Sequence, residues 1–228
     1  AIAAKILKQL GIEITTYVSS IGDVQVSPEN FNREYIMQNE LYMPDKDSYE
    51  RASALLSDIM AANDSIGSSV QCIIKGMPAG IGEPVFDKLD ANLAKAIMSI
   101  GAVKGFEIGD GFEAAKVTGK YNNDEFVMKD GRVSKLTNHS GGVLGGISDG
   151  DELVFRAAVK PTPSISALQE TVNKQGEDIE VSIKGRHDPM IVPRAVVVAE
   201  AMTALTLVDL IFDNMTARMD KVKEFYRK

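Results

Sequence analysis

The sequence predicts an α+β fold in which a buried helix lies against antiparallel sheet, and three observations carry that prediction. Residues Ala195 to Ile211 are apolar on nearly every side apart from Glu200 and Asp209, the pattern of a helix with sheet on both flanks. Two hairpins are signalled, one around Asp130 and Gly131 and one turning near Gly176, and they favour antiparallel pairing over repeated βαβ units. Ile12 to Ser20 alternates β-branched and polar residues, the period of a half-buried strand.

In chain order, Ala1 to Leu10 reads as an amphipathic helix with Ile2, Ile6, Leu7 and Leu10 on one face, ended by Gly11. The strand from Ile12 continues through Val26 with a break at Gly22, and Asn30 to Asp47 is polar and irregular. Asp47 and Glu50 resemble a capping box, opening a helix with the stripe Tyr49, Ala52, Leu55, Leu56, Ile59 and Met60. Val70 to Lys75 is a strand, Gly76 to Pro84 a turn, and Asp87 starts a helix facing inward through Leu89, Leu93, Ala96, Ile97 and Ile100, ended by Gly101. Val103 to Ile108 is a strand, Glu125 to Lys135 a hairpin, and Glu152 to Lys160 a strand stopped by Pro161 and Pro163. Thr171 to Lys184 is a further hairpin. Pro193 suits the first turn of the long helix, and Asp213 to Lys228 ends as a solvated helical tail.

The 228 residues have the length of one large domain or two small ones, and no linker, repeat or low-complexity tract divides them, so residues 1-228 read as a single domain. With 25 Lys and Arg against 32 Asp and Glu, the net charge of -7 offers no basic field for nucleic acid or an anionic membrane. No segment reads as a bilayer span. One cysteine, Cys72, precludes an internal disulfide, two histidines argue against a metal site, and both fit a reducing cytoplasm. A chain that opens inside a helix at Ala1 reads as N-terminally truncated rather than as carrying a signal peptide, because Lys5 and Lys8 interrupt its apolar residues.

Four segments have chemistry in reach. Gly109, Gly111 and Ala114 spell the glycine pattern of a dinucleotide site, on which a nucleotide-dependent oxidoreductase would be built, but no apolar-periodic helix follows and a glycine-rich turn is the better reading. The run Asn138 to Ser148 puts four glycines in six residues; it either brings bare backbone to a ligand or closes a tight backbone interface. Lys160-Pro161-Thr162-Pro163-Ser164 sets a cation and two hydroxyls on a stiff backbone, suited to a phosphate or ring heteroatoms or simply to a rigid connector. Gly185-Arg186-His187-Asp188-Pro189 offers an anion-binding fork and a proton-relaying carboxylate, or a salt-bridged cap for the helix behind it. Neither His139 nor His187 has a nucleophile partner, and Cys72 reads as a core residue.

Taken together these segments resemble chorismate synthase. The matching stretches are Gly82-Glu83-Pro84-Val85-Phe86-Asp87-Lys88-Leu89-Asp90-Ala91, Ile97 to Ile100, Ala102 to Gly105, Glu107-Ile108-Gly109, the run from Asn138 to Gly150, Lys160 to Ile165 and Gly185 to Pro189. The resemblance covers nearly the whole chain and the last two-thirds of the family's sequence. It implies a sandwich of central helices between two antiparallel sheets and assembly as a homotetramer. It also implies an enzyme converting 5-enolpyruvylshikimate 3-phosphate to chorismate and phosphate by anti-1,4-elimination, in the shikimate pathway of aromatic amino acid biosynthesis.

Such an enzyme needs reduced FMN without net redox change: the flavin lends an electron as the bond to phosphate breaks, takes a ring hydrogen and is regenerated. Its reducing equivalents come from NADP(H), within the protein or through a separate reductase. By the resemblance, Gly101, Ala102, Gly145, Lys160, Pro161, Thr162, Pro163, Ser164 and Arg186 are flavin contacts, and Asp188 is the catalytic carboxylate near flavin N5. These segments are expected to converge on one face. The family's Gly-Glu-Ser-His-Gly and Arg-Ala-Ser-Ala-Arg-Glu-Thr segments, with its two catalytic histidines, have no counterpart here, so the 228 residues are expected to be inactive alone or to act as a flavin-binding module. Met190 stands where the family commonly has Cys, and Asp149 where Asn or Ser is common.

Overall fold

Alternation builds one central sheet. In the computed structural model, which describes residues 1–129 and 131–227, helix α1 (Ile2–Gln9) leads into β1 (Glu13–Ile21), which turns at Gly22 into β2 (Val24–Gln25). Two short 3-10 turns, Pro28–Asn30 and Glu34–Gln38, fill the irregular stretch before α2 (Lys46–Ala61) and β3 (Ser68–Lys75). After a 3-10 turn at Val85–Asp87 come α3 (Leu89–Met98), β4 (Val103–Ile108), a 3-10 turn at Gly111–Lys116 and the one-turn α4 (Gly119–Asn122). Next come β5 (Phe126–Lys129), β6 (Arg132–Lys135), β7 (Val143–Leu144), β8 (Ile147–Ser148), β9 (Leu153–Val159), β10 (Gln169–Val172) and β11 (Asp178–Val181), then α5 (Val192–Met215) and α6 (Met219–Tyr226).

The sheet order is β2-β1-β3-β9-β4, every pair antiparallel, and three separate two-stranded hairpins are β5-β6, β7-β8 and β10-β11. The hairpin expected at Asp130 and Gly131 forms, although Asp130 itself lies outside the described residues. Val70, Cys72 and Ile74 of β3 and Leu153, Phe155, Ala157 and Val159 of β9 point to one buried face. Onto that face α5 lays Val196, Ala199, Thr203 and Leu207, and α3 adds Leu89, Leu93 and Ile97. Burial pushes the Cys72 thiol up to about 12, against hydrogen bonds from Thr16 and Thr203. The Phe106 and Phe155 rings lie 5.1 Å apart and tie β4 to β9.

The structure corrects several local expectations. In α1 the buried pair is Ala3 and Leu7, one turn apart, whereas Ile2 and Leu10 are exposed. The cap of α2 is Asp45 rather than Asp47: its carboxylate accepts from Asp47 N–H and from Ser27 N–H, and a 2 % exposed capping group is sheltered from competing water. Asp87 sits in a 3-10 turn, and α3 begins at Leu89. Sheet covers only one flank of α5 among the described residues; Val197, Val198 and Leu205 on the other flank are exposed. At 24 residues α5 is also long and apolar enough to cross a membrane by length and composition, contrary to the sequence reading.

Candidate functional site

Three of the expected segments meet where β9 ends. Lys160 N–H donates to the Ala102 carbonyl at 2.9 Å, which joins the lysine loop to the turn between α3 and β4. Ser65 Oγ donates to the Thr162 carbonyl at 2.6 Å, and Ile66 N–H to the Pro189 carbonyl at 2.9 Å, so residues 65 and 66 pin the proline-stiffened loop beside the Gly185 to Pro189 segment. Lys160, Gly101 and Arg186 are exposed. Thr162 Oγ1 is buried with no hydrogen-bond partner among the described residues, and Ala102 has φ 70°, a left-handed conformation that costs a non-glycine residue about 1–2 kcal/mol.

Asp188 does not pair with Arg186. Its Oδ1 accepts from Arg194 Nη2 at 3.0 Å, and Arg194 lies in the first turn of α5, so the salt-bridged cap is part of what this segment does. His187 Nε2 lies 2.8 Å from the Ile183 carbonyl.

Gly145 does not join this corner. The glycine run starts beside the first residues of β9, where Val154 N–H donates to the Gly141 carbonyl at 3.1 Å, and β9 has seven residues. At about 3.3 Å per residue, roughly 20 Å separate the two ends, more than an isoalloxazine ring spans. Leu89 N–H donates to the Gly146 carbonyl at 2.7 Å, which puts Gly145 at the start of α3, while Gly101 and Ala102 lie beyond its end. The expectation that the glycine run, the lysine loop and the Arg186-Asp188 segment converge on one face is therefore not met, because the glycine run lies at the other end of β9; sequence order carries no information about which end of a strand or helix a loop caps.

The glycines resolve into two kinds. A Cβ on Gly141 would meet Gly109 Cα at 2.6 Å and the Val154 carbonyl oxygen at 2.8 Å, and one on Gly142 would meet the Glu152 carbonyl oxygen at 2.5 Å, so these two serve backbone packing, whereas one on Gly146 would meet the Lys88 side chain. Gly145, at φ 61°, has nothing within 4 Å of that position and is the one open to a ligand. Gly109 N–H donates to Val154, and a 3-10 turn rather than a full helix follows Gly111, so the dinucleotide pattern is a packed turn.

Sequence reasoning missed a buried cluster at the base of the run. Lys135 Nζ, on a side chain 2 % exposed, lies 2.6 Å from Asp149, 3.4 Å from Asp151 and 3.6 Å from Asp124. Asp149 is its shortest partner. His139 Nδ1 lies 2.6 Å from Asp110 Oδ2, and the imidazole packs against Tyr121 at 5.2 Å. Lysines at strand ends usually face solvent, and nothing local in the sequence pointed to the cluster.

Burial pushes the Asp124 carboxyl up, but donors from Ser140, Thr137 and His139 outweigh it and hold the group far below the usual carboxylate range. A carboxylate depressed in the folded state stabilises at pH values above its unfolded pKa of about 3.9 and loses that stabilisation as pH falls toward the folded value. Unfolding free energy, followed by urea denaturation across a pH series, is expected to decline below about pH 4, and Asp124→Asn is expected to flatten that acid limb.

Comparison with known proteins gives the lineage. The family model for chorismate synthase matches residues 1–212. The chain is 76 % identical over 228 residues to the chorismate synthase of Lachnospira eligens, covering all of this chain and 62 % of that protein. Against the chorismate synthase of Agathobacter rectalis it is 62 % identical over 228 residues, again 62 % of the relative, and against that of Methanosarcina barkeri 50 % identical over 214 residues, 92 % of this chain and 58 % of the relative. A crystal structure of chorismate synthase superposes with a TM-score of 0.78 at 29 % identity, covering 98 % of this chain and 64 % of that one. The chain thus spans a little under two thirds of the length of the relatives it matches. A match running from residue 1 to residue 212, together with an antiparallel α+β architecture shared with a solved member, makes this chain a member of the chorismate synthase family.

Proposed function

We propose that these residues form the flavin-holding part of an enzyme that eliminates phosphate from 5-enolpyruvylshikimate 3-phosphate to give chorismate, with reduced FMN as the required cofactor. The observation that carries the reading is the corner at the end of β9, where Lys160, the unpartnered Thr162 Oγ1, the left-handed Ala102 and the Gly185 to Asp188 segment adjoin. These groups suit a flavin: a cation and a free hydroxyl for polar ring atoms or the phosphate, and a backbone turn that lets a flat ring approach. When bound, reduced FMN supplies an electron-rich ring beside the carbon–oxygen bond that breaks.

The chain's own groups then have separate tasks. Lys160 and Arg186 balance the negative charge of cofactor and departing phosphate. Asp188, held by Arg194, would take up or return a proton of the bound flavin. Gly145, at the opposite end of α3, is a further flavin contact in this reading, and the enzyme assembles as a homotetramer. The reading includes a cytoplasmic protein, NADP(H) as the source of electrons for the flavin, no nucleic acid and no membrane, the apolar α5 belonging to the layered core.

Anaerobic titration in the dark separates this reading from a nicotinamide-dependent one. Reduced FMN is expected to bind, and Lys160→Ala to weaken it about tenfold or more, as loss of a charge-assisted contact does. Binding of NADPH with no binding of reduced FMN overturns the reading.

A further inference from the structure

One buried ammonium closes the glycine run on itself. Lys135 Nζ donates to Asn138 Oδ1 at 3.2 Å and Ser140 Oγ at 3.2 Å, on the side where the run begins, and to Asp149 Oδ2 at 2.6 Å, where it ends, with Asp151 at 3.4 Å. Asp124 strengthens the first side, accepting from Thr137 Oγ1 and from His139 and Ser140 N–H. Asn138 Oδ1 also accepts from Gly142 N–H, and Asp149 Oδ1 from Asp151 N–H.

Three carboxylates share one cation: the Asp124 and Asp149 side chains are 4 % and 8 % exposed, and Asp151, 33 % exposed, lies at the solvent edge. Without the lysine, like charges face each other at low dielectric and push the two ends of the run apart. The four glycines between them add no side chain to the packing, and Gly141, Gly142, Gly145 and Gly146 all have positive φ. Gly141 and Gly142 rest on the backbone of Gly109 and Glu152, and Gly146 on the Lys88 side chain, while β7-β8 pairing and the Ser148 bonds to Ile81 and Gly80 hold the middle of the run, so the lysine acts on its two ends.

We propose that Lys135 is a positioning residue, an internal clamp that fixes the glycine run in the form that presents Gly145 to the flavin. The flavin half of this inference rests on the reading of Gly145 given under Proposed function; the clamp itself does not. Lys135 touches no reacting atom and acts only through the loop it closes.

Lys135→Met, Lys135→Arg and Asp149→Asn decide it, with amide exchange read by mass spectrometry and reduced FMN affinity measured on the same samples. Lys135→Met is expected to speed exchange across residues 138–151 by about tenfold, leave β3 and the part of β9 beyond Val154 unchanged and weaken reduced FMN by about tenfold. Lys135→Arg, which keeps the charge, is expected to restore most of both. If Lys135→Met does not fold, Asp149→Asn keeps an acceptor and leaves the lysine two carboxylates; it is expected to show the same local signature at about threefold. Unchanged exchange across 138–151 in a folded variant overturns the clamp. Faster local exchange with unchanged FMN affinity overturns the positioning role. If the wild type binds no reduced FMN, the flavin reading fails, and the exchange result alone decides whether Lys135 holds the run.

Discussion

Phe155→Ala is expected to lower the unfolding free energy by about 3–5 kcal/mol, the range for removing a buried aromatic side chain and leaving its cavity. Phe155 is 1 % exposed, sits in the middle of β9 and packs its ring 5.1 Å from Phe106 on the neighbouring strand. Because β9 has paired strands on both sides, its backbone cannot slide to fill the space, which places the loss toward the upper end of that range. Domains of this size keep only about 5–15 kcal/mol in total, so the variant is expected to unfold at a much lower urea concentration with an unchanged slope. A midpoint within error of the wild type would mean that the buried face of β9 is not a single packed core.

Gly141→Ala is expected to cost about 3 kcal/mol, from two sources that add. The left-handed φ of 65° is unfavourable for alanine by about 1–2 kcal/mol, and forcing a methyl group into well-packed surroundings costs about 1–3 kcal/mol. The obstruction is the backbone of Gly109 and Val154, which has no rotamer to change. Gly145→Ala is the matched control, since its φ of 61° is similar and nothing stands within 4 Å. Only the conformational part, about 1 kcal/mol, is expected there. Equal losses in the two variants, measured by denaturant unfolding, would dismiss the glycine-on-glycine contact as a source of stability.

The strands were the most legible part of this sequence. Val103 to Ile108 was readable to the residue, and β3 and β9 differ from expectation by one or two residues at their ends, because alternation of Val70, Cys72 and Ile74 or of Leu153, Phe155 and Ala157 has one simple cause. Helix starts were less so: Asp45 and Asp47 are both acceptable caps, and which one serves depends on Ser27, a residue 18 positions away from Asp45 that supplies an additional donor. The candidate site divides in the same manner. Local chemistry at Lys160 and Arg186 could be read from composition, but the partner of Asp188 is Arg194, and the side of the molecule on which Gly145 lies is set by the length of β9. Lys135 was illegible because its three carboxylates come from Asp124, Asp149 and Asp151, brought together only by folding.

The strand order β3-β9-β4 has a consequence for how the protein comes into being. Strand β4 ends at Ile108, yet its one sheet neighbour among the described residues begins at Leu153, so on a ribosome the earlier strand waits, with Phe106 uncovered, while more than forty further residues are made. The sheet closes late and all at once, when β9 inserts between two strands already synthesised, and the nascent chain is most exposed to aggregation in that interval.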